Sequence, residues 1–226
     1  MLRKGILLSA AAGLMATAPA AAAPDYAGAI KADYDKSLGA LWDHFHRNPE
    51  LSFREFNTAA RMAKELRAVP GMVVTEKVGQ TGVVGVLKNG DGPVVLVRAD
   101  MDGLPVEEKS GLANASKARQ VGIDGVENPV MHACGHDVHI TSMIGTARQL
   151  AAMKDRWKGT VLFIVQPAEE RVGGAAAMLK DGLYTRFPKP NFALAFHVAA
   201  DLAKGHIEEA DCIQYYSADS VDIKVN

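Results

Sequence analysis

The chain has 226 residues, 48% hydrophobic and 23% charged, with a formal net charge of −1. That length supports one sizeable core or a domain and a half. Balanced charge without a basic stripe argues against a nucleic-acid partner, and the composition is that of an ordinary globular protein without internal repeats.

Taken in chain order, Arg3 and Lys4 precede an apolar stretch over residues 5–18 and the run Pro19-Ala20-Ala21-Ala22-Ala23-Pro24. This pattern predicts a secretory signal peptide over residues 1–22, hence a periplasmic or secreted protein without membrane attachment after cleavage. The apolar stretch is shorter than the roughly 20 residues a membrane span needs. Apolar residues at Tyr26, Ile30, Tyr34, Leu38, Leu41 and Phe45 predict a helix over 25–47, ended by Asn48-Pro49. A second helix is expected over 55–68, ended by Pro70-Gly71. Strands are expected at 73–77 and 82–88. The turn signal Asn89-Gly90-Asp91-Gly92 predicts that the second of these forms a hairpin with 93–99. The run Val94-Val95-Leu96-Val97 predicts burial on both faces of that last strand.

Residues 107–128 are polar and aperiodic, which predicts a long surface loop. A helix over 137–153, a buried strand at 160–166, a helix over 174–181 and a buried strand at 192–196 follow. Strands alternating with helices predict a three-layer α/β/α domain, here spanning 23–217. Residues 218–226 begin an alternating strand, Ser220-Val221-Asp222-Ile223-Lys224-Val225, in which the chain stops. The expectation is a truncation, or the start of a second domain that is absent.

The densest chemistry lies in Met131-His132-Ala133-Cys134-Gly135-His136-Asp137-Val138-His139. Imidazole, thiolate and carboxylate are the groups that bind first-row divalent metals. Cys134 and His136, two apart in an irregular stretch before a helix, can converge on one ion. His132 and His139 stay open between ligand and hydrogen-bond partner of a ligand. A disulfide between Cys134 and Cys212 is the ordinary reading in an exported protein. The flanking histidines favour a metal-held thiolate instead and leave Cys212 a spectator. The strand at 160–166 runs into Pro167-Ala168-Glu169-Glu170. Adjacent carboxylates at a strand end point in different directions, so one can bind metal while the other takes a proton from an activated water. His197 closes the strand at 192–196. Asp100 and Asp102 close the one at 93–99, either binding metal or fixing the histidines. Ligands at the ends of successive strands are how an α/β fold assembles one site. His44, His46 and His206 lack a constellation and read as structural or surface residues. No serine sits in a nucleophile-elbow context.

Together, Arg98-Ala99-Asp100-Met101-Asp102-Gly103-Leu104-Pro105, the stretch from Met131 to His139, and Gln166-Pro167-Ala168-Glu169-Glu170 resemble the amidohydrolase branch of metallopeptidase family M-twenty. That branch comprises hippurate hydrolases, auxin-conjugate hydrolases and N-acetyl-diaminopimelate deacetylases. Asn48-Pro49-Glu50-Leu51-Ser52 resembles its N-terminal signature. The resemblance implies a zinc-peptidase-like α/β/α catalytic domain interrupted by a lid or dimerisation domain, through which a full-length protein would form a homodimer. It implies that Cys134, His136, Glu170 and His197 are ligands of two divalent metal ions, Zn or Mn foremost, with Co or Ni also admitted. Glu169 is then the general base. The implied substrate is a small N-acyl amino acid or short peptide, cleaved at its amide bond. A further histidine ligand and a lid histidine have no counterpart in this chain, so the expectation is an inactive first half of an enzyme. Two rival functions are a cysteine hydrolase using Cys134 and a non-catalytic exported metal-binding protein.

Overall fold

A computed structural model of the chain describes residues 25–208. The expected signal peptide, Cys212 and the strand over 218–226 lie outside these residues. No helix among the described residues is long and apolar enough to cross a membrane.

The chain enters through α1 (Tyr26–Asp33), a π-helical turn (Tyr34–Leu38) and α2 (Gly39–Arg47), which together form one unbroken helical rod. Asp25 caps it, its Oδ1 accepting from the Gly28 amide at 2.8 Å. Apolar residues four apart drift around a helix of 3.6 residues per turn. Accordingly Leu38, Leu41 and Phe45 are buried while Tyr26, Ile30 and Tyr34 are exposed. Helix α3 (Phe56–Arg67) carries Ala59, Met62, Ala63 and Leu66 on one buried face.

Strands β1 (Met72–Val78), β2 (Gly82–Asn89) and β3 (Val94–Asp100) follow, then the short pair β4 (Arg119–Val121) and β5 (Glu127–Pro129). Helix α4 (His136–Ala152), strand β6 (Gly159–Gln166), helices α5 (Gly174–Lys180) and α6 (Leu183–Arg186), and strand β7 (Phe192–Ala195) are the remaining elements of the described residues. The main sheet has the order β1-β2-β6-β3-β7. Its first two junctions are antiparallel, and β6-β3 and β3-β7 are parallel. Along β6 the side chains alternate between two cores. Val161, Phe163 and Val165 face α2, α3 and α4, and Leu162 and Ile164 face α5 and α6. The three-layer α/β/α expectation therefore holds.

Four local expectations do not. The Asn89–Gly92 turn joins β2 to β3, but the two strands are not paired: β6 lies between them, with Leu162 opposite both Val86 and Leu96. A buried strand flanked on each side gains more than a closed two-strand hairpin would. Strand β3 is not buried on both faces throughout, since Val94, Val95 and Val97 are only half-buried. Strand β7 is exposed, with Phe192 and Leu194 each at 62%, because it is the sheet's edge and no described helix covers it. The 107–128 segment is not all loop. It carries β4 and most of β5, paired from Arg119↔Pro129 to Val121↔Glu127.

Candidate metal centre

Three parallel strands, β6, β3 and β7, finish at the same end of the sheet. Asp100 of β3 is level with Gln166 of β6, and Ala195 of β7 is level with Arg98. Helix α4 begins at that end too, at His136, after a left-handed Gly135 with φ 79°. Residues beyond each strand therefore meet over the amino end of α4, although they come from sequence positions 100 to 197.

The sequence-predicted donors come together. Cys134 Sγ lies 3.3 Å from His197 Nε2. His136 Nε2 lies 3.8 Å from Glu170 Oε1 and 3.9 Å from Glu169 Oε2. Donor atoms of Cys134, His136 and His197 are all within 4.8 Å of one another, and so are those of His136, Glu169 and Glu170. His136 belongs to both groups. Its Nδ1 donates to the Asp102 carbonyl at 2.8 Å, so Nε2 carries the lone pair. That buried Nε2 and the buried Glu170 Oε1 have no hydrogen-bond partner among the described residues. Buried polar atoms are rarely left so, and two of them facing one point fit a cation. Glu169 is the more open of the adjacent carboxylates, with 38% of its side chain exposed against 17% for Glu170.

The charges agree with that fit. Burial pushes the Cys134 thiol up to about 11, and the carboxylates of Glu170, Glu169 and Asp100 push the same way. Burial also raises the Glu170 carboxyl; His136 opposes this, while Asp102 and Glu169 add to it. Burial works to lower the His136 imidazole, but the Asp102 carboxylate beside its Nδ1 and the charges of Asp100 and Glu170 raise it above its ordinary value. Burial comes first for Cys134 and Glu170 and acidic neighbours raise His136, so the three groups share a negatively charged, partly dry setting that a divalent ion would neutralise.

The supporting residues settle what Asp102 does here. Its carboxylate accepts from the backbone amides of Glu169 at 3.0 Å and Glu170 at 3.1 Å, and from Ser52 Oγ at 2.6 Å. It holds the Glu-Glu turn with its side chain and His136 with its carbonyl. Asp100 accepts from His139 Nδ1 at 2.6 Å and pairs with Arg98 Nη1 at 2.7 Å. His132 is buried, both ring nitrogens are without a partner among the described residues, and desolvation lowers it to about 4. It joins none of the donor groups found among the described residues.

Two supporting residues carry no signal in the sequence. Glu55, fully buried, accepts from the amides of Phe53 and Ala168 through Oε1 and from Thr81 Oγ1 through Oε2. It thereby fixes Ala168, whose φ of 44° turns the chain into Glu169. His46 bridges Asp137 Oδ2 at 2.8 Å and Glu108 Oε1 at 3.3 Å, so it is part of the site's support and not an isolated surface histidine.

A family model described as Peptidase family M20/M25/M40 matches residues 96–222. The chain is 45% identical over 143 residues to hippurate hydrolase of Campylobacter jejuni, covering 63% of this chain and 34% of that protein. It is 42% identical over 139 residues to N-acetylcysteine deacetylase of Bacillus subtilis, covering 61% and 34%. The crystal structure of the Bacillus subtilis YXEP protein, described as a dinuclear metal binding peptidase, superposes with a TM-score of 0.66 at 36% identity. That match covers 76% of this chain and 45% of the other. The chain thus spans about a third of the length of these curated relatives.

Proposed function

The chain belongs to peptidase family M20/M25/M40, and from that premise we propose a metal-dependent amidohydrolase acting on N-acyl amino acids or short peptides. The carrying observation is His136, common to the three donor groups found among the described residues, with its Nε2 lone pair and the facing Glu170 Oε1 both unpartnered. Cys134, His136, Glu170 and His197 would hold the two ions. Zinc suits a thiolate-imidazole set, and manganese, cobalt or nickel are admitted by the carboxylates. Divalent ions bound there supply the positive charge that polarises a scissile carbonyl and acidifies a water. Glu169, open to solvent beside that point, accepts the water's proton. The water oxygen bonds to the carbonyl carbon, the C–N bond breaks, and Glu169 passes the proton to the departing amine. Hippurate and N-acetylcysteine, the compounds in the relatives' names, are both acyl groups joined to an amino acid through an amide. The composition of residues 1–24 supports export to the periplasm or medium.

A cysteine nucleophile would need a thiolate, whereas the metal-free Cys134 thiol is pushed up to about 11. The test is Glu169→Gln in this chain extended to the length of its relatives and loaded with zinc or manganese. Metal content should be unchanged, while hydrolysis of N-acetyl and N-benzoyl amino acids falls by about 10²–10⁴-fold. Unchanged hydrolysis would overturn the role of Glu169. The extended, metal-loaded wild type proving idle on every acyl amino acid would favour a binding protein.

A further inference from the structure

We propose that His139 is a positioning residue that sets the direction of His197 through the backbone of Val198, and is not itself a metal donor. This role rests on the reading of His197 as a metal donor.

His139 lies one turn along α4 from His136, close enough to the donors to belong to a cation-sized cluster with Asp100 and His136. Its two nitrogens are nevertheless both engaged. Nδ1 is 2.6 Å from Asp100 Oδ1, and Asp100 is in turn paired with Arg98, whose Nε donates to Gln166 Oε1 at 3.0 Å. A carboxylate can only accept, so Nδ1 carries the proton and Nε2 the lone pair. That lone pair accepts the Val198 amide at 3.1 Å. None is left for an ion.

The Val198 peptide is held from three sides. Its amide is fixed by His139. Its carbonyl accepts from His197 Nδ1 at 2.6 Å, which leaves the ring's lone pair at Nε2, the atom facing Cys134 Sγ. Its side chain lies on Gly135, where an added Cβ would come within 2.2 Å of Val198 Cγ2. Gly135 is the residue between Cys134 and His136, so the same valine touches both halves of the donor set. The His139 ring also packs edge-on against Phe196 and His197, at 5.2 and 4.6 Å between centroids. His197 needs such a hold. It follows an exposed edge strand whose described sheet partner, β3, pairs only as far as Ala195.

The discriminating set is His139→Gln, His139→Asn and His139→Ala. Glutamine carries an oxygen near the place of Nε2 and can accept from Val198. Asparagine reaches Asp100 alone, and alanine reaches neither. In the metal-free chain, the Val198 amide should exchange slowly in wild type and His139→Gln, and about tenfold or more faster in the other two. Zinc affinity, measured by competition with a chelating dye, should fall about 10–100-fold in His139→Asn and His139→Ala and stay near wild type in His139→Gln. Far-UV circular dichroism identifies any variant that has lost its fold. The proposal is overturned if the glutamine variant loses as much affinity as the asparagine one, or if the wild-type Val198 amide exchanges freely. If the exchange pattern appears but wild type takes up no zinc, the clamp on His197 stands and the metal reading of His197 falls.

Discussion

Glu55 keeps a carboxylate inside the molecule to serve three donors, one of them the Ala168 amide next to Glu169. Removing it strands the buried Ala168 amide and the buried Thr81 hydroxyl, each worth about 1–3 kcal/mol when left unsatisfied. Glu55→Ala should therefore lower unfolding stability by several kcal/mol. Glu55→Gln keeps an acceptor for the Ala168 amide and should cost little. Burial, opposed by its hydrogen bonds, holds the Glu55 carboxyl above 4.5, so ionising it weakens the fold and the neutral glutamine escapes that cost. Urea titrations of the two variants at pH 7 check this. His132 makes a prediction of opposite origin. Its folded value of about 4 lies below the unfolded 6.5. The unfolded chain takes up the proton first, so stability present above pH 6.5 is lost as pH falls towards 4, up to about 3 kcal/mol. His132→Leu should flatten that part of the stability–pH curve, read from urea midpoints at pH 7 and pH 5. At this scale the donors were legible because they are dense or end apolar runs. Glu55 and His46 were not, since their partners lie as far as 113 and 91 positions away.

Strand β6 is the element on which the sheet depends, antiparallel to β2 on one side and parallel to β3 on the other. Its central Leu162 is fully buried against Val84, Leu96 and Ile164 in the layer facing α5 and α6. Leu162→Ala should cost about 2–5 kcal/mol, seen as a lower urea midpoint with an unchanged slope. Periodicity identified nearly every helix and strand, because apolar spacing is a local property. It misassigned the neighbours of β2 and β3, because Asn89-Gly90-Asp91-Gly92 reports only that the chain turns there. Which strand fills the gap is decided by a crossover through α4. The apolar run in β7 likewise cannot say whether anything covers it. Strands β4 and β5, at three residues each, are too short for an alternation to register.

For the molecule as a whole, an ion held by residues that only the fold brings together must stabilise that fold. Zinc or manganese at a hundredfold over its dissociation constant should add about 2.7 kcal/mol, and a chelator should remove it. A thermal midpoint that ignores both would argue against a site formed on folding. The placement of β6 also governs how the protein emerges from the ribosome. Strand β2 is finished at Asn89, yet its second partner begins only at Gly159. While residues 90–158 are made, at about 5–20 residues per second, β2 waits several seconds with one side open. Strand β3 arrives first, delivered by a turn well suited to hairpins, and must be kept from that side. Gly92 and Gly159 are packed so closely in the finished protein that an added Cβ on Gly92 would come within 2.9 Å of Gly159 backbone atoms. That contact can form only after β6 has slipped between the two earlier strands. Nascent chains ending before residue 159 thus present a sheet with its middle missing, its two earlier strands joined by a turn that cannot itself fill the gap.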